Sequence, residues 1–199
     1  MQANSASYPA TLTFDPPEKV ANWRPLVNWL LAIPHFVVLY GLNLLSRVIG
    51  IVSWFIIVFT GALPEGLANM QVMYMRYSTR TNVFAAFLKE EYPPFTFSTT
   101  PADPGDDTRV RIDITPQLAN RNRLTVAFRI ILVIPQVVVL VFLFLASAVS
   151  VLISFFAVLF TGRWPDGLRD FVIKVMRWGL RVQAYFLLLT DEYPPFALD

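Results

Sequence analysis

Hydrophobic and polar positions follow one pattern that is written twice, 101 residues apart. Each copy opens on a short alternation, enters a long apolar stretch, continues through a mixed segment and closes on Glu-Tyr-Pro-Pro-Phe. From residue 31 to 95 the first copy shares 27 identities in 65 positions with the second. The alternation in residues 11–14 predicts a strand closed by Asp15-Pro16-Pro17. In residues 109–115, Val110, Ile112 and Ile114 alternate with Arg109, Arg111 and Asp113, the period-two signature of a half-buried strand. Residues 95–98 alternate similarly, and the turn-rich run 100–107 separates the copies. A small sheet with strands from both repeats, outside any hydrocarbon, follows.

The long stretches dominate the expected architecture. Residues 130–161 carry no charge, and residues 26–64 carry only Arg47. Uncharged runs of this length read as membrane-embedded. Each is too long for one upright crossing of about 20 residues and just long enough for two short ones. In one reading each stretch is a helical hairpin, turning at residues 46–50 and 146–150, where small residues cluster. In the other it is one long tilted helix kinked near Pro34 or Pro135, and residues 67–88 or 168–189 cross back.

Charge favours the hairpin. Arg169, Lys174, Arg177 and Arg181 follow the second stretch closely, and a crossing helix would bring them into the bilayer at roughly 2.5–3.5 kcal/mol each. Helical spacing groups the charges on one face, with Phe171, Val172, Val175 and Met176 opposite, as an amphipathic helix at the interface requires. With hairpins, the N-terminus, linker, amphipathic helices and C-terminus share a side holding all Lys and Arg except Arg47, which the positive-inside rule makes cytoplasmic. The expected fold is mainly α and integral to the membrane. Two tandem repeats each contain an apolar helical hairpin and an amphipathic interfacial helix, with short β-strands at the cytoplasmic surface. The units are 8–99 and 109–199, joined by a linker at 100–108.

Composition narrows the chemistry. A 55% apolar content with 15% charged residues and a mean hydropathy of +0.52 lies outside the soluble range. A net charge of +2 argues against nucleic acid as a partner. Without cysteine there is no disulfide, thiol catalysis or thiolate metal site. The polar start of the chain lacks the pattern of a cleaved signal peptide, so insertion is expected from the internal apolar segments.

Three motifs recur. In Phe-Thr-Gly-x-x-Pro-x-Gly-Leu, Gly61 and Gly162 suit positive φ at a helix end, and Pro64 and Pro165 suit the next start. With Gly66 and Gly167 they predict structural turns; a headgroup site there would meet repulsion from Glu65 and Asp166. Arg76 with Arg80, and Arg177 with Arg181, are i, i+4 pairs at the same offset. They are the candidate lipid- or partner-binding residues, as simple anchors on phosphates or as specific contacts to an acidic lipid or partner carboxylate. The Tyr-Pro-Pro-Phe endings predict abrupt helix stops with Tyr92 and Tyr193 as interfacial anchors. His35 and Arg47 do not recur, facing Gln136 and Ala148 in the second copy. One histidine supplies no metal cluster, and a hydrogen bond is its expected role. Neither metal, cofactor nor catalytic residue is expected.

The run Leu30-Leu31-Ala32-Ile33-Pro34-His35, then Phe59-Thr60-Gly61, Pro64 and Gly66, Arg76 with Arg80, and Tyr92-Pro93-Pro94-Phe95, resembles the bacterial membrane family catalogued as domain of unknown function 4389. The second copy departs at Gln136. The resemblance covers nearly the whole chain as two tandem domains. It implies a bacterial plasma-membrane location and no activity. The expected function is a non-catalytic membrane scaffold or accessory subunit of a larger complex, touching lipids and other membrane proteins. The alternative is a small transporter or channel, for which Ser46/Ser147 and Ser53/Ser154 are the matched polar pairs.

Overall fold

A computed structural model describes residues 8–100 and 102–198. Most of the polar N-terminal run, linker residue 101 and the final residue lie outside the described residues. The element order is β1 (Ala10–Phe14), α1 (Arg24–Leu31), α2 (Ile33–Thr60), α3 (Glu65–Ala85), β2 (Val110–Ile114), α4 (Arg123–Ala127), α5 (Arg129–Thr161) and α6 (Asp166–Phe186).

The hairpins are not formed. α2 runs unbroken through residues 46–50 and α5 through 146–150, so each apolar stretch is one long helix. The small residues that suggested turns instead serve helix packing. Ser46 Oγ donates to Gln71 Oε1 of α3 at 2.5 Å, and Ser150 Oγ donates back to the Ala146 carbonyl at 2.9 Å. Without a proline or a left-handed residue there, nothing stops propagation. The break comes earlier, at Ala32 and Phe128, while Pro34 takes a place in the first turn of α2 and Pro135 lies inside α5. Residues 95–98 are not a strand either. Their alternation arises because Phe95 stacks on His35 and Phe97 on Tyr77, at centroid distances of 4.1 and 5.3 Å.

β1 and β2 pair antiparallel, with Leu12 opposite Ile112. Their inward residues Ala10, Leu12, Phe14, Val110, Ile112 and Ile114 are buried against α3 and α6. α3 and α6 are in turn backed by α2 and α5. α3 reaches α2 through Gln71–Ser46, Tyr74–Asn43 and Tyr77–His35, and α6 reaches α5 through Trp178–Gln136. The order of layers is therefore sheet, α3 with α6, then α2 with α5.

The repeats exchange parts. Arg121 N donates to the Gly61 carbonyl and Val20 N to the Gly162 carbonyl, so the segment before each helical unit caps the long helix of the other. Trp54 Nε1 donates to the Val126 carbonyl and Trp164 Nε1 to the Phe87 carbonyl, each at 3.0 Å. Tyr8 Oη donates to the carbonyls of Arg181 and Glu192, bringing the described N-terminal residues beside the C-terminal segment.

Candidate functional site

The recurring arginines lie on the sheet side of α3 and α6, where a helix face that looks charged in sequence meets unpaired strand carbonyls. Arg76 Nε donates to the Ile112 carbonyl and Arg177 Nε to the Leu12 carbonyl, each at 3.1 Å. Each amphipathic helix thus grips the strand belonging to the opposite repeat. Arg76 Nη1 also donates to the Thr100 carbonyl at 2.6 Å, and burial pushes its pKa below the ordinary guanidinium value. Arg80 Nη2 meets Asp103 Oδ1 at 2.7 Å in a pair almost without solvent contact. Arg181 Nη2 donates to the Ala197 carbonyl at 2.6 Å. Arg76, Arg80 and Arg181 are buried, and only Arg177 is half-buried. The expected lipid- or partner-facing stripe is turned inward instead, because backbone carbonyls and Asp103 compensate the charge that water would otherwise hold.

The positions that do not recur by identity recur by role. His35 Nδ1 lies 2.7 Å from Tyr77 Oη, and at the matching positions Trp178 Nε1 donates to Gln136 Oε1 at 2.7 Å. Asn28 Nδ2 donates to the Lys89 carbonyl, and its counterpart Arg129 Nη1 donates to the Thr190 carbonyl. Sequence comparison by identity could not show these pairs; the signal was the shared offset of polar residues within apolar runs. Tyr92 Oη donates to the Leu31 carbonyl. Glu91 pairs with Arg109 at 2.6 Å, and that bond holds its carboxyl below the ordinary range although burial opposes this.

Each repeat also holds ion pairs near its end; Lys89 has Thr190 at its counterpart position, whereas Glu90, the counterpart of Asp191, faces Arg24 at 3.8 Å. Fully buried Lys89 pairs with Asp107. Burial lowers the Lys89 pKa although Asp107 pulls the other way. In the second repeat Asp191 Oδ1 receives Arg121 at 2.7 Å and Arg129 at 2.5 Å, while Oδ2 accepts the Asn122 N–H. The turns have their own geometry. α2 and α5 end on Gly61 and Gly162 at φ of 76° and 68°, and Pro64 and Pro165 stand immediately before α3 and α6. Gly66 and Gly167 fall in the first turns of those helices, where nothing lies within 4 Å of a Cβ built on either.

The described residues form a concavity large enough for a ligand. A groove of about 620 Å³ lies between α3, α5 and α6, with Tyr74, Asn82, Val137, Phe144, Ser147 and Gln183 in its walls. None of the described residues lining it is charged. Ser147 is buried there with no partner for its Oγ, since the position matching Gln71 of the first repeat is Val172. The described residues hold no group of three or more His, Asp or Glu able to bind a metal.

Comparison with protein families matches residues 22–96 and 123–197 to a domain of unknown function, DUF4389. The chain belongs to the DUF4389 family. Both DUF4389 matches begin after the strand that precedes each helical unit, so β1 and β2 lie outside them. The strands add to the direct contacts between the two DUF4389 units, such as Trp54 with Val126 and Trp164 with Phe87. No curated protein and no solved structure matches the chain.

Proposed function

We propose that the protein is a non-catalytic membrane-bound module, a scaffold or accessory subunit of a larger assembly in the bacterial plasma membrane. Its sheet side and both ends of the chain lie in the cytoplasm, where other proteins of the assembly dock. The observation that carries this reading is the uncovered apolar surface of α2 and α5. Val37, Tyr40, Leu44, Val48, Ile51, Phe55 and Phe59 form an exposed stripe along α2, and Ile134, Val141, Leu145, Leu152 and Phe156 form one along α5. Both helices are long and apolar enough to cross a membrane, and only 22% of each apolar window is buried. The core helix of a water-soluble domain has the opposite distribution.

The test is extraction. After alkaline carbonate washing of bacterial membranes the protein should stay in the pellet, and it should leave only with detergent. Recovery in the wash would refute the membrane reading. Mild detergent purification should then bring partner proteins with it, and a chain that emerges alone would refute the scaffold.

A transporter reading draws support from the uncharged groove between the repeats, the place where repeat-built transporters bind substrate. Solute flux in proteoliposomes, lost when Ser147 and Asn82 are replaced by Leu, would favour it.

A further inference from the structure

Resting on the membrane reading above, we propose that α2 and α5 lie in the plane of the membrane, embedded in one leaflet, with the sheet held in water above them. The argument is one of levels along the helix axes. α2 is about 42 Å long at 1.5 Å per residue, and its midpoint falls at residues 46 and 47. Asn43 donates to Tyr74 Oη at 2.8 Å, fixing Tyr74 about 5 Å from that midpoint. Arg76, about 3 Å further along α3, bonds to the Ile112 carbonyl of β2. On α5 the midpoint is residue 145. A Cβ built on Gly179 would lie 3.1 Å from the Phe144 ring, and Arg177, about 3 Å away along α6, bonds to the Leu12 carbonyl of β1. Tyr77 and Trp178, the residues after these arginines, bond to His35 and Gln136, so the sheet stands beside the first halves of both long helices, between their starts and their midpoints, with α3 and α6 between.

Upright helices centred in about 30 Å of hydrocarbon would carry most of that sheet below the headgroups. The outer face of the sheet carries the exposed Arg111–Asp113 pair, whose charges are costly to place in hydrocarbon. Exposed Arg47, beside the α2 midpoint, would reach the bilayer centre as well. Rotating the molecule so that the helix axes lie flat removes both costs together. Polarity in this molecule changes across the helices rather than along them, as it does in an interfacial element. Exposed Trp23, Trp29 and Tyr193 then serve as aromatic anchors near headgroup level. A module confined to one leaflet also carries no solute across the membrane.

The absence of cysteine allows a direct test. Spin labels are placed singly at Val37, Val48 and Phe55 of α2, at Val138, Leu145 and Leu152 of α5, and at Thr13 and Asp113 of the sheet. The full chain is reconstituted in phosphatidylethanolamine and phosphatidylglycerol vesicles, and depth is read from oxygen and nickel-reagent accessibility. The six helix labels should share one shallow depth, within about 10 Å of the phosphates, and the two sheet labels should be in water. Depth that peaks at Val48 and Leu145 and falls toward both helix ends would overturn the orientation while keeping the membrane reading. Helix labels shielded from both reagents would overturn it in favour of a second copy covering the stripe. Failure to sediment with vesicles would overturn both readings together.

Discussion

Arg80 and Asp103 meet where side-chain exposure is 4% and 0%, so removing one charge strands the other. Arg80→Gln should cost about 3–5 kcal/mol of stability, measured by thermal or denaturant unfolding in detergent. The same logic applies to Asp191, which faces Arg121 and Arg129. Burial alone would raise its carboxyl, but the Arg121 bond, the Asn122 N–H and the charges of both arginines outweigh it and hold the pKa below the ordinary value. A depressed carboxyl contributes stability above its unfolded pKa of about 3.9 and loses it as pH falls through the folded value. Wild-type protein should therefore weaken on acidification below about pH 4, and Asp191→Asn should remove part of that dependence along with about 3 kcal/mol of stability at pH 7. A variant that melts like wild type at neutral pH would show that the pair is not contributing. Asp103, Asp191, Arg121 and Arg129 carried no signal of their own in the sequence, and only the arginines of the recurring pairs, Arg80 among them, were legible as charges. Their direction was not, because a helical face of cations looks the same whether it meets phosphates or strand carbonyls.

At the scale of elements, the two glycine turns should differ although their sequences match. A Cβ on Gly61 would meet the flexible end of Arg123 at 3.0 Å, whereas one on Gly162 would also meet the Val20 carbonyl at 3.2 Å. Positive φ costs a non-glycine residue about 1–2 kcal/mol at either place. Gly162→Ala should lose more than Gly61→Ala, because the Val20 carbonyl belongs to backbone whose N–H bonds to Gly162. Equal melting temperatures for the two variants would count against this account. The existence of α3 and α6 and their sharp starts were visible from the Phe-Thr-Gly-x-x-Pro spacing. The continuity of α2 and α5 was visible only as the less favoured of two readings. Small residues lower the penalty for a turn, but they equally allow another helix to approach, as Gln71 of α3 does at Ser46 of α2.

For the whole molecule, exchange between repeats predicts mutual dependence. Cutting the chain at Gly105 and co-expressing the halves should give a complex that co-purifies through both tryptophan bonds and the β1–β2 ladder. Either half alone should be degraded or aggregate, since it leaves Ile57 or Val158, both fully buried, without the opposite unit's cover. A half that accumulates as a folded monomer would contradict the exchange.

The sequence by itself determined the duplication, the helical class, the two strands, the turns and the concentration of apolar residues in two segments. Each is set by local spacing: periodicity, proline and glycine positions, and a constant offset. Only the tertiary structure decided that each apolar segment is one helix, that strands and caps cross between repeats, and that recurring arginines hold the sheet. Those outcomes depend on which distant groups satisfy one another once buried, as Leu12 does for Arg177 and Ile112 for Arg76. A chain read in order carries no record of such partners, because the free energy that selects them arises only when water has left both.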